Sequence, residues 1–125
     1  MPDTINTFLI LLIVLYLIFL IVIYRILNKE EIKKSVILID VTNIKTNKEL
    51  HILLKEKLKF PYFYNENWDD FWNAISSWVE LPNKIEFVGW TDLEKRLPQD
   101  SKIMKEHLLD HNEEFPEWRC EYLFN

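Results

Sequence analysis

Leu58–Pro82 reads LKFPYFYNENWDDFWNAISSWVELP. Wound at about 100° per residue, Trp68, Phe71, Trp72, Ile75, Trp78 and Val79 gather on one side of a helix. Asp69, Asn73, Ser76 and Glu80 line up on the other, with Asp70 and Ser77 beside them. One face is suited to a core, and the other presents acids, amides and hydroxyls. Asn67 has the side chain of an N-cap, and Asp69 and Asp70 sit favourably against the positive end of the helix dipole. The spacing therefore predicts a helix from Asn67 to about Glu80, stopped by Pro82 and Asn83. The aromatic loop Phe60–Glu66, punctuated by Pro61, leads into it.

Outward from this stretch, Ser35–Val41 (SVILIDV) is a near-continuous β-branched and apolar run, which predicts a strand buried on both faces. Thr46–Leu58 reads as a helix. Thr46 and Glu49 have capping-box spacing, and Leu50, Leu53, Leu54 and Leu58 form its apolar stripe. Lys84–Val88 is a short strand, Thr91–Leu97 a short helix ended by Pro98, and Asp100–Asn112 a helix with Ile103, Met104, His107 and Leu108 inward. Trp118–Phe124 is a last strand. Strands separated by helices predict a small α/β domain, with helices packed on a three-stranded, mainly parallel sheet.

The N-terminal part is different in kind. Phe8–Tyr24 is an unbroken apolar run, extended by Ile5, Ile26 and Leu27. A helix needs roughly 20 such residues to cross the hydrocarbon core, and only a helix satisfies its own backbone there. The run lacks a basic residue before it and a small-residue cleavage pattern after it, which weighs against a signal peptide. The expected organisation is a transmembrane helix over 1–27, contacting the bilayer through residues 5–27, a basic linker over 28–34 and a folded domain over 35–125. Arg25, Lys29, Lys33 and Lys34 follow the apolar run Phe8–Tyr24 and Asp3 alone precedes it, so the positive-inside rule puts the N-terminus outside and the domain in the cytoplasm.

From Ser35 onward there are 11 basic and 17 acidic residues, a net of −6 with histidines neutral. That balance argues against direct nucleic-acid binding, which rests on cations neutralising phosphates, and favours a basic protein partner. Cys120 is the only cysteine, so no internal disulfide forms, and in an apolar strand it reads as a small core residue. His107 and His111 have helical i, i+4 spacing, but no third ligand is fixed by spacing, and a structural role is the expectation. His51 stands alone and reads as exposed. No Gly-rich phosphate loop or nucleophile–base pattern occurs, so the expectation is a protein with no catalytic residue, metal or cofactor.

The order Pro61, Phe63, Tyr64, Glu66, Asn67, Asp69, Trp72, Trp78, Val79, Glu80, Pro82 resembles the barstar family of ribonuclease inhibitors. The sequence of helices and strands from Ser35 to Phe124 is similar as well. The resemblance implies a protein that lays its second helix and the preceding loop over the basic active site of a ribonuclease, its acids standing in for RNA phosphates. Carried over by position, the partner-facing set is Phe63, Asn65, Asn67, Trp68, Asp69, Trp72, Asn73, Ser76, Ser77, Trp78 and Glu80. The family's principal phosphate mimic is an aspartate where this chain has Asn73. Phe63 replaces the usual tyrosine, and Asn65 and Ser77 replace glycines. A further interface acid belongs to a later helix, where Asp110, Glu113 and Glu114 are all candidates.

The expected function is therefore a membrane-anchored, immunity-type inhibitor that occludes a basic ribonuclease or toxin nuclease domain. The alternative is a membrane-tethered adaptor of the same fold with no ribonuclease target.

Overall fold

The computed structural model describes residues 2–125, with side chains described at 4–27 and 35–125. The chain divides into two compact units, 1–34 and 35–125. The first is one helix, α1 (Pro2–Lys34), which continues through 28–34 without a break. Within it, Thr4–Leu27 is long and apolar enough to cross a membrane, a property shared by signal sequences. Its side chains are exposed all round.

The second unit runs β1 (Val36–Asp40), α2 (Asn47–Leu58), α3 (Trp68–Asn73), a π-helical turn (Ala74–Trp78), β2 (Lys84–Val88), α4 (Trp90–Arg96), α5 (Pro98–Glu114), a 3₁₀ turn (Pro116–Trp118) and β3 (Glu121–Phe124). The three strands form one parallel sheet in the order β1-β2-β3. This is the α/β architecture expected, with five α-helices among the described residues.

Alternation of side chains across the strands sets the layers. Ile37 and Ile39, Ile85 and Phe87, and Tyr122 and Phe124 turn toward the helices. They meet Leu50, Leu54, Phe71, Ile75, Leu93, Met104 and Leu108, all fully or almost fully buried. The opposite face is open, for Val36, Leu38 and Leu123 on it are 52%, 54% and 40% exposed. The expectation of a first strand buried on both faces is thus corrected. Its apolar run was read as needing cover twice, but no second layer of helices covers the far side.

Local signals explain most element ends. Thr46 Oγ1 accepts from Glu49 N (3.1 Å), and Glu49 Oε2 accepts from Lys45 N (2.9 Å), so both ends of the capping pair are engaged. Asn67 Oδ1 caps α3 by accepting from Asp70 N (2.7 Å). The helix expected to run evenly to Glu80 instead changes pitch at Ala74 and closes with Val79 N donating to Ala74 O (3.0 Å). Ser76 supplies a reason, because its hydroxyl donates to Trp72 O (2.6 Å), the carbonyl that a regular turn offers to its backbone N–H. At the other end of the domain, Asn112 clamps β3 onto α5: its Nδ2 donates to Cys120 O (2.7 Å) and its Oδ1 accepts from Cys120 N (2.8 Å).

Gly89, between β2 and α4, has φ +79°, and a Cβ there would lie 2.8 Å from Thr42 Cα and 2.9 Å from Thr42 N. Both the left-handed backbone and the rigid neighbour exclude a side chain. Gly89→Ala is expected to destabilise the domain by more than the ~1–2 kcal/mol of the conformational penalty alone, seen as a fall of several degrees in the thermal midpoint. A variant as stable as the wild type would refute this account of the β2–α4 turn.

Candidate functional site

The surface singled out by sequence begins where α2 ends. Lys59 takes a left-handed conformation (φ 57°), and Phe60 N donates to Lys55 O (3.0 Å), turning the chain sharply. Phe60 and Tyr64 then plunge inward, both nearly inaccessible. The Tyr64 hydroxyl forms a short hydrogen bond with Nδ1 of His51. His51 is fully buried, correcting the expectation of an exposed residue. The spacing 51, 54, 58 shares the face of Leu54 and Leu58, a signal outweighed by the residue's polarity. Between the two anchors, Tyr62 and Phe63 project outward, and Phe63 meets Trp78 edge-on with ring centres 4.8 Å apart.

The end of the loop is fastened to α3. Asp70 Oδ2 accepts from Asn65 N (2.9 Å), so this acid is a structural clamp as well as a charge. Glu66 has φ 54° and brings Asn67 into capping position. Trp68 is half-buried: its ring lies 4.3 Å from that of His51 and 5.2 Å from Phe71, and its Nε1 donates to Asp100 Oδ1 (2.9 Å). Of the eleven residues named from sequence, Trp68 is the one turned most plainly toward the interior.

Beyond Trp68, α3 and α5 flank an open cleft of about 620 Å³. Asp69, Trp72 and Asn73 line it from α3, and His107, Asp110, Glu113 and Glu114 from α5. The Trp72 and His107 rings, 5.7 Å apart, bring the two helices together there, and His107 also stacks on Phe71 at 6.2 Å. Four carboxylates thus surround an aromatic patch, with no lysine or arginine in the lining. Asn65, Asn67, Ser77 and Glu80 are exposed outside the cleft; Ser76 is half-buried with its hydroxyl committed to Trp72 O. Among the three acids left open on the later helix, all three line the cleft. Positions 107, 110 and 114 share a helical face, which was legible; that this face meets α3 was not.

The arrangement suits binding rather than bond-making. Carboxylates accept bidentate hydrogen bonds from guanidinium groups much as phosphates do, and aromatic neighbours exclude competing water. Cys120 is buried, and desolvation pushes its thiol up to about 12, so it is not a thiolate at neutral pH. His111 is buried beside Phe115, with burial lowering its pKa below the ordinary 6.5. No group of three or more His, Cys, Asp or Glu side chains able to hold a metal occurs among the described residues.

Fold and surface together define a class: a small α/β domain presenting an acidic cleft with an aromatic floor beside an anchored aromatic loop. Residues 34–122 match the family model described as Barstar (barnase inhibitor). A Bacillus subtilis (strain 168) protein named "Putative ribonuclease inhibitor YrdF" is 41% identical over 46 residues, 37% of this chain and 50% of that protein. The chain spans about half the length of this curated relative. The chain belongs to the barstar family.

The buried imidazoles make stability pH-dependent. Desolvation lowers the His51 pKa below 6.5 against the opposing pull of Asp100 and Glu66, and His111 is shifted the same way. Below pH 6.5 the unfolded chain therefore binds protons that the folded one does not, so stability falls with acid until the folded pKa values are reached. Each histidine contributes up to about 1.4 kcal/mol per pH unit in that window. Urea midpoints of the full chain in mild detergent are expected to drop between pH 7 and pH 5, and less so in His51→Gln. A midpoint independent of pH across that range would contradict the burial of a neutral His51.

Proposed function

We propose that this protein inhibits a basic ribonuclease or toxin nuclease domain by covering its active site with the α3–α5 cleft and the loop before α3, while α1 anchors it in a membrane. The observation that carries the reading is the gathering of Asp69, Asp110, Glu113 and Glu114 around Trp72 and His107 without a neutralising cation in the lining. A ribonuclease active site must hold phosphates with cations, and this surface is complementary to such a site. Phe63, Asn65, Asn67, Asp69, Trp72, Asn73, Ser76, Ser77, Trp78 and Glu80 form the partner-facing set, and Trp68 supports it from within. Inhibition is by occlusion, with no chemistry contributed by the inhibitor and no direct contact with RNA.

The anchoring part of the proposal rests on the length and apolar character of Thr4–Leu27. Arg25 at its C-terminal end and Lys29, Lys33 and Lys34 beyond it support an outside N-terminus and a cytoplasmic domain. Confinement to a surface raises the effective concentration of inhibitor where a nuclease crosses or is exported.

Asn73 favours the second reading, an adaptor of the same fold with a different basic partner. An amide in place of a carboxylate leaves an opposing cation unpaired, which is unfavourable in a buried interface. Inhibition of barnase by the full chain in detergent separates the two. On the inhibitor reading, Asn73→Asp tightens inhibition by at least about tenfold, or ~1.4 kcal/mol. The pair Asp110→Asn, Glu114→Gln weakens it by a similar factor and flattens its dependence on salt. If neither wild type nor Asn73→Asp inhibits barnase or a panel of exported bacterial ribonucleases, the adaptor reading stands instead.

A further inference from the structure

The parallel sheet puts the starts of all three strands at one end of the soluble unit. Val36 pairs with Lys84 and Lys84 with Glu121, and Lys84 N donates to Ser35 O (3.2 Å) while Glu121 N donates to Asn83 O (2.9 Å). With strands about 4.8 Å apart, the start of β3 lies roughly 10 Å from the start of β1. The N-terminal chain enters the unit at β1.

At that same end sits an unusual side chain. Trp118 closes the 3₁₀ turn before β3, held by its N–H donating to Phe115 O (2.9 Å), and its side chain is 59% exposed. The other four tryptophans, Trp68, Trp72, Trp78 and Trp90, are half-buried or buried. Exposed Arg119 follows it, and Val36 is an exposed apolar residue at the start of β1. Among the described side chains of this end, Glu117 and Glu121 offset Arg119 and Lys84. What remains is an indole, whose apolar body and polar edge favour the boundary between lipid headgroups and acyl chains.

We propose that the strand-start end of the soluble unit rests on the bilayer with Trp118 inserted at the headgroup boundary as its anchor. The inference rests on reading α1 as a membrane span. Because Glu113 and Glu114 lie only a few residues before Trp118, docking also fixes the height of the acidic cleft above the membrane. A partner then approaches the cleft from a restricted range of directions.

The test uses the full chain reconstituted into phosphatidylcholine vesicles, with and without bromine on the acyl chains just below the headgroup. All five tryptophans belong to the soluble unit and none to α1, so bromine quenching of tryptophan emission reports contact of that unit with lipid. Quenching is expected in the wild type, unaffected by raised salt, and lost in Trp118→Phe. An unchanged near-UV circular dichroism outside the lost indole shows that the variant keeps its fold. Absence of quenching in the wild type, or equal quenching in Trp118→Phe, would overturn the docking while leaving the span intact. Release of the chain from the vesicles by alkaline carbonate would overturn the span, and the docking with it.

Discussion

The carboxylate of Asp100 is the point to which three helices are tied. It lies in the first turn of α5 and accepts from Asn47 Nδ2 (2.8 Å) at the start of α2 and from Trp68 Nε1 (2.9 Å) at the start of α3. Three helix N-termini therefore meet at one negative charge, the arrangement their dipoles favour. Behind it the ring of His51 packs on Trp68 and bonds to Tyr64, carrying the same constraint into the loop. The relative setting of α3 and α5, and so the width of the cleft between them, follows from this junction.

That junction explains how a helix of only six residues serves two purposes. Phe71, followed by Ile75 in the π-helical turn, belongs wholly to the core, and Trp68 to the polar junction. Trp72 stands between core and surface, packed on His107 and lining the cleft. Asp69 and Asn73 are left to the outside. The acids of the cleft have little internal use: the one ion pair among the described side chains is Lys102–Glu106 at 4.0 Å, elsewhere on α5. Gathered carboxylates without cations repel one another and lower the stability of the free protein. Such an arrangement is understandable when a cationic partner supplies what the fold withholds, which is the physical content of the inhibitor reading.

The parts legible in the sequence were those governed by neighbours along the chain. Thr46 with Glu49, Asn67 with Asp70, and the inward set of α3 all depend on local spacing, and the structure realises each of them. Cys120 is buried as expected, although the strand expected from Trp118 begins only at Glu121, one residue after it. What was missed depends on the third dimension. His51 was judged by its polarity, yet its partner Tyr64 lies across a turn that spacing does not describe. The open face of β1 was judged by its apolar run, yet cover depends on how many helices the chain can place on each side. The contribution of α5 to the cleft needed the contact between Trp72 and His107, two residues 35 positions apart.

The same cleft bears on the departure at Asn73. On the inhibitor reading, a carboxylate at that position would be central and would meet the most buried cation of the partner. Here the amide offers one acceptor and two donors, while the negative charge is carried by Asp69 on one wall and by Asp110, Glu113 and Glu114 on the other. A matching surface would have its cations displaced toward the α5 wall and a neutral acceptor opposite Asn73. Charge spread along a rim steers encounter and sets register, whereas a single buried charge sets the rate of escape. An inhibitor built this way would associate under strong salt control and depend for its lifetime on the aromatic contacts of Phe63, Trp72 and Trp78. The cognate nuclease is then to be sought among proteins whose basic surface extends beyond the catalytic centre.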